Sequence, residues 1–166
     1  MTKSVSDLPH KPGENPFLVA RGGFYRRWLQ MINDLELLEK TVASLTSTVD
    51  TDWVPIWKKI GKQFEDLGDI EEKKGNTIAA RELFLQSKTF YSIGRFPAEV
   101  SALKAEISRD CVRAYKKACQ HLNPPIQEIK IDCDGLTIKA HFRTPKSKTK
   151  VPAVLVMCGA DVFKED

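Results

Sequence analysis

At Asn123-Pro124-Pro125 the spacing of apolar residues changes, and no single element can continue through the change. Each proline lacks a backbone N–H and pushes the residue before it out of the helical region. Upstream, apolar residues recur every three or four positions, the repeat of a helix with one buried stripe. Downstream, Ile129, Ile131 and Cys133 alternate with Glu128, Lys130 and Asp132, the period of a strand with two unlike faces. Helices first and strands afterwards make this an α+β chain.

The helical part is predicted in pieces. Residues 1–16, with Pro9, Pro12, Gly13 and Pro16, read as a flexible or draped tail. From Phe17 to about Ser47, Phe24, Trp28, Met31, Leu35 and Leu38 define one helix, or two broken at Gly22-Gly23 or Asp34. Asp52 is the expected N-cap of the clearest helix, whose stripe is Trp53, Trp57, Ile60, Phe64, Leu67 and Ile70. Lys58, Lys59, Lys62, Gln63, Glu65 and Asp66 fall on its solvated back, and Lys73-Lys74-Gly75-Asn76 stops it. Thr77 opens the next helix, with Ala79, Ala80, Leu83, Phe84, Phe90 and Tyr91 available for packing. So short a connection makes the two an antiparallel hairpin. Another helix is expected from about Pro97 to His121, striped by Val100, Leu103, Ile107, Cys111, Tyr115 and Ala118.

After Pro125, Asp134-Gly135 marks a β-hairpin. Its second strand alternates Leu136, Ile138, Ala140 and Phe142 with Thr137, Lys139 and His141. A lysine-rich loop follows Pro145. Val151–Met157 is apolar without alternation, as expected of a buried central strand in a parallel sheet. It delivers the loop Cys158-Gly159-Ala160-Asp161 to the sheet edge, where open α/β sheets build their sites.

Little else carries chemistry. The net charge of +4 is spread over 29% charged residues, too mixed for a nucleic-acid partner. No apolar run reaches membrane-spanning length and the first residues lack a secretory h-region, so a cytoplasmic protein is expected. Cys111, Cys119, Cys133 and Cys158 form no CxxC pair and read as buried free thiols, neither disulfides nor metal ligands. His10 is expected in solvent, His121 at a helix C-terminus in a structural role, and His141 exposed on a strand. Trp53 and Trp57 read as core in preference to a pocket wall. Lys58-Lys59 and Lys146, Lys148 and Lys150 read as solvated charge. No G-x-S-x-G, H-E-x-x-H, P-loop or G-x-G-x-x-G occurs. At Gly159, backbone freedom lets the following amides point outward, so Gly159, Ala160 and Asp161 are candidate oxyanion donors; an ordinary strand-to-helix turn is the alternative.

The order of helical segment, Pro-Pro, Asp-Gly hairpin and the run from Val151 to Asp166 resembles the front of one branch of the α/β-hydrolases. That branch includes FrsA-like esterases, 2,6-dihydroxypseudooxynicotine hydrolases and fungal polyketide-shortening pigment hydrolases. The matching features are Trp53, Trp57, Gly75-Asn76, Ala79-Ala80, Tyr91 and Cys158–Asp166. The last of these stands where the branch has a Gly-Gly-x-Asp-x-x-Lys-Glu-Glu-like loop, with a cysteine in place of the first glycine. The resemblance implies a helical lid or cap domain over residues 17–123. It also implies the first strands and oxyanion-type loop of an incomplete hydrolase sheet over 126–166.

The expected function is therefore the N-terminal portion of a serine hydrolase acting on an ester or an activated C–C bond of a small carbonyl compound. No cofactor is expected. In such enzymes the nucleophile, acid and histidine follow this loop in chain order, so the chain alone is expected to be inactive. The alternative is a helical-hairpin interaction module of tetratricopeptide type, against which stand the strands and the lack of a second repeat. An apolar strand with few neighbours also implies self-association.

Overall fold

The computed structural model describes Trp28 and residues 30–45, 49–96, 101–147 and 149–157. Among these residues lie helices α1 (Leu35–Ala43), α2 (Asp50–Lys73), α3 (Thr77–Arg95) and α4 (Ala102–Gln120), then strands β1 (Gln127–Cys133) and β2 (Leu136–Phe142). The described chain is α+β, helices followed by a two-stranded antiparallel sheet, as expected.

Local chemistry sets most of the boundaries. Asp34 breaks the first helical stretch: its carboxylate accepts from Leu37 N at 2.9 Å and caps α1. The start of α2 differs from expectation. Its N-cap is Val49, without a side-chain bond, and Asp52 lies inside the first turn beside Asp50. Both carboxylates still meet the positive end of the helix dipole. Gly75, at φ +81°, turns the chain out of α2, a conformation open to glycine at little steric cost. α4 starts at Ala102, later than Pro97, because Ser101 accepts from Lys104 N and caps it. Pro97 and Val100 lie outside the described residues.

The three long helices run up, down and up. Gly61 meets Tyr91 and Gly68 meets Phe84, so α3 is antiparallel to α2. Side-chain ties from Glu65 to Arg113 and from Asp69 to Lys117 keep a constant offset, so α4 is parallel to α2. The main core joins Trp28, Trp53, Trp57, Phe90 and Ile107 to Leu38 of α1. A smaller cluster of Ala80, Phe84 and Ala118 closes the other end.

The buried face of α2 departs from the expected stripe. Trp53, Trp57 and Ile60 are buried and Phe64 half-buried, but Leu67 and Ile70 are about half exposed. Gly61, Glu65 and Gly68 are buried instead. The cause is close packing of aromatic rings. A Cβ at Gly61 would sit 2.5 Å from the Tyr91 ring, and one at Gly68 would sit 2.5 Å from the Phe84 ring. The two missing side chains let α3 lie against a face that hydropathy alone marks as solvated. Similarly, Leu35 and Met31 are exposed while Ile32, Val42 and Leu45 are buried. On α3, Ala79 is exposed while Ala80 is buried.

The hairpin is antiparallel, with Ile131 opposite Ile138 and Cys133 opposite Leu136. Asp134 and Gly135 both take positive φ, 50° and 79°, as a two-residue type I′ turn requires. The expected alternation is present, but it is inverted relative to the helices. The polar face makes the ties to α4: His141 stacks on Tyr115 at 5.2 Å, and Lys116 meets Glu128 at 2.7 Å. On the apolar face, Ile131, Leu136, Ile138 and Phe142 are exposed. Val151–Met157 corrects its expectation outright. It forms no ladder, and Val154–Met157 are 80–85% exposed. A strand apolar on both faces is buried only when neighbouring strands and covering layers enclose it. Among the described residues nothing does.

Candidate functional site

The loop expected to carry oxyanion donors, Gly159, Ala160 and Asp161, lies outside the described residues, as do Cys158 and His10. The most densely built polar site that is described lies elsewhere, along the seam between α2, α3 and α4.

Its centre is Glu65, which is 3% exposed. Arg113 grips the carboxylate with two parallel bonds: Nε to Oε1 and Nη2 to Oε2, both 2.8 Å. Such a fork fixes direction as well as charge. Lys117 Nζ adds a third contact at 3.0 Å, and the Tyr91 hydroxyl donates to Oε2 at 2.9 Å. Burial alone pushes the Glu65 carboxyl up, but these donors outweigh it and hold it at about 2. Burial, together with the adjacent carboxylate, pushes the Tyr91 phenol far above its ordinary range, so it stays a donor. The bond to Glu65 raises Arg113 further, and it remains charged.

The seam continues both ways. Arg113 Nη1 also reaches Asp110 at 2.5 Å, and Lys58 bridges Glu106 at 2.5 Å and Asp110 at 3.3 Å. At the other end Lys117 binds Asp69 at 2.6 Å and lies 5.2 Å from the Phe84 ring centre. His121 Nε2 lies 2.8 Å from Glu72 Oε1, and its ring stacks on Phe84. The structural role expected of His121 stands, with a carboxylate as its partner. Lys58 keeps about a third of its side chain in solvent, as the sequence suggested, but is ion-paired to Glu106 and Asp110, whereas Glu65 is buried and not the solvated anion expected.

A pocket of about 390 Å³ opens over this seam, lined by Lys58, Lys62, Glu65, Tyr91, Asp110 and Arg113. Each ionised group in it already has an opposite charge within reach, Lys62 pairing with Asp66. Its chemistry is that of a clamp on three helices; it holds no nucleophile. No group of three or more His, Cys, Asp or Glu side chains suited to a metal ion occurs among the described residues. Sequence reading missed Glu65 because its partners lie 26, 48 and 52 positions away, on other helices.

The tryptophans are core, as expected. Trp28, Trp53 and Trp57 lie within 5.4–5.9 Å of one another, and Phe90 extends the array to Phe64. Trp53 Nε1 donates to Ile93 O at 3.1 Å. Trp57 is fully buried, and its Nε1 has no hydrogen-bond partner among the described residues. Of the thiols, Cys111 and Cys119 are buried, and burial raises the Cys119 pKa. Cys133 is exposed, against expectation, because it lies on the uncovered face of the hairpin. No helix among the described residues is long and apolar enough to cross a membrane.

Comparison with known proteins bears on the chain as a whole. The profile of the Esterase FrsA-like family matches residues 33–166. Esterase FrsA of Photobacterium profundum is 22% identical over 171 residues, covering 89% of this chain and 40% of its own length. Alpha/beta hydrolase pydG of Acremonium sp. is 22% identical over 139 residues, covering 80% of this chain and 33% of its own. The crystal structure of a 2,6-dihydroxy-pseudo-oxynicotine hydrolase aligns with a TM-score of 0.54 at 18% identity, over 67% of this chain and 31% of that one. This chain thus spans between a third and two fifths of the length of these curated relatives.

Proposed function

The chain belongs to the FrsA-like esterase family, and from that premise we propose that it supplies the helical lid and part of the oxyanion hole of a serine α/β-hydrolase. The substrate class is a small carbonyl compound, an ester or one with an activated C–C bond. The observation that carries this reading is the family match over residues 33–166, which takes in the helices, the hairpin and the terminal loop together.

In this reading the clamped helices form a rigid cap on residues 17–123, and residues 126–166 begin the sheet. A serine outside these 166 residues attacks the carbonyl, a histidine takes its proton, and the amides at Gly159–Asp161 hold the developing oxyanion. The chain alone has no G-x-S-x-G and is inactive. Buried Cys111 and Cys119 suit a reducing, cytoplasmic setting. The tetratricopeptide reading gains no support: one helical hairpin is followed by a single helix and a β-hairpin.

The test has two arms. The purified chain should neither turn over activated aryl esters nor react with a fluorophosphonate probe. Fused ahead of the remainder of the Photobacterium esterase, a product that does react with the probe should lose about 10²–10³ in kcat on Ala160→Pro, which removes one donor amide. Stoichiometric labelling of the chain alone, or a reactive fusion indifferent to Ala160→Pro, would overturn the reading.

A further inference from the structure

Neither apolar core cluster of the described residues contains a strand residue, so the helical unit and the hairpin are not joined by a shared core. The ties between them lie at the base of the hairpin, away from its Asp134-Gly135 tip. Glu128 and His141 face each other in register. The Lys116–Glu128 pair at 2.7 Å and the Tyr115–His141 stack at 5.2 Å therefore land on one rung of the ladder. Tyr115 and Lys116 are consecutive on α4, so that rung alone leaves the hairpin able to pivot. A third tie stands just beyond β2. Arg143 donates from Nε to Pro124 O at 2.9 Å and from Nη2 to Asn123 O at 3.0 Å. Its planar guanidinium forks onto two successive carbonyls of the linker between α4 and β1.

We infer that this three-point joint sets the angle at which the helical unit stands over the sheet, with Arg143 as its positioning residue. The inference rests on the proposed reading of the chain as a cap followed by the first strands of a hydrolase. Two units joined by a short linker move relative to each other unless a large apolar interface holds them. Here the linker is residues 121–126, and its two prolines restrict the backbone. Arg143 fastens two of its carbonyls to the end of β2, so linker and strand move as one body. Lys116–Glu128 and Tyr115–His141 then fix that body against α4. A lysine at position 143 keeps the charge, but as a point donor it cannot reproduce the fork. Arg143 touches no reacting group in this reading; it acts through the linker, holding the cap where it closes over the substrate. Arg143, Lys116 and Glu128 are exposed, so each tie adds little stability and the effect to look for is geometric.

Double electron–electron resonance on the full 166-residue chain tests this. Spin labels go on exposed Cys133 of the hairpin and at Glu82→Cys on α3, in a Cys158→Ser background that leaves Cys111 and Cys119 buried. The expected result is one narrow distance distribution, which Arg143→Lys and Arg143→Gln both broaden, with helical circular dichroism unchanged. Lys116→Met should broaden it too, whereas Lys116→Arg, which keeps a cation for Glu128, should not. In a reactive fusion of the kind described above, Arg143→Lys should raise KM about two- to fivefold with kcat unchanged, the size of an exposed tie expressed in binding. A distribution equally narrow in both Arg143 variants, one already broad in the unsubstituted chain, or a KM indifferent to Arg143→Lys would each overturn the inference. Stoichiometric fluorophosphonate labelling of the chain alone would instead sink the reading on which it rests, and would do so without altering the distances.

Discussion

The helical unit and the hairpin region solve opposite problems. Between α2 and α4 the chain encloses its own core so fully that it buries ionised groups: Glu65 is nearly inaccessible, and Lys104 is buried while reaching Phe96 O at 2.7 Å. From Ile131 to Met157 it leaves large apolar side chains in water. Burial is therefore decided by whether neighbouring elements reach a face, and hydropathy only biases the outcome. In the helical unit, two glycines on α2 bring α3 close enough to cover a carboxylate. In the hairpin, a clean alternation of apolar and polar residues ends with its apolar side open.

The largest effect that would break this contrast lies in the tryptophan array. Trp57→Ala should cost about 3–5 kcal/mol of unfolding free energy, as for other buried large aromatics. Trp57 is fully buried among Trp28, Trp53 and Phe90. Denaturant unfolding followed by helical circular dichroism reads the change. A loss below about 0.5 kcal/mol would mean that the helical unit is as open as the hairpin.

The next effect lies in the clamp. The carboxyl of Glu65 sits at about 2 in the folded chain against an ordinary value of 4.5. Its folded pKa is depressed, so the unfolded chain takes up the proton first as pH falls. The clamp's contribution is whole above about 4.5 and is lost progressively down to about 2. Glu65→Gln should cost about 2–3 kcal/mol at neutral pH and flatten the acid slope in that window. This is less than the 3–5 kcal/mol of a fully buried pair, because Arg113 and Lys117 still reach water. Stability measured from pH 7 to pH 2 checks both. An unchanged slope in the variant would move the acid sensitivity to other carboxylates.

How much was legible beforehand follows from the same contrast. Helix ends were readable where the signal is local, as at Gly75-Asn76 and Thr77, or at Asp34, whose carboxylate bonds three residues on. The hairpin turn at Asp134-Gly135 was readable for that reason too. Glu65 was not, since its neighbours in sequence are Phe64 and Asp66 and its bonding partners lie on other helices. Nor was the exposure of Leu67 and Ile70, which depends on rings of α3 entering the spaces above Gly61 and Gly68. The order of elements and the terminal loop carried the family, through a pattern spread over the chain that no single side chain specifies.

The smallest effect separates the two regions most cleanly. On the polar face of the hairpin, Lys130 and Lys139 stand directly opposite each other. Like charges in that position destabilise a strand pair, whereas a β-branched residue suits it. Lys139→Thr should therefore stabilise the hairpin by about 0.2–1 kcal/mol. Glu128, held below the usual carboxylate range chiefly by its bond from Lys116, keeps that partner in the variant. None of the three long helices gains or loses a bond that holds it to another, so the helical unfolding midpoint should stay put. Hydrogen exchange at the amides of β1 and β2 should slow by a factor of about 1.5–5, while exchange in α2 and α3 stays unchanged. Equal slowing in all four elements would show that hairpin and helices open as one unit, and the contrast between a closed core and an open sheet would then describe surfaces only, with no difference in stability beneath it.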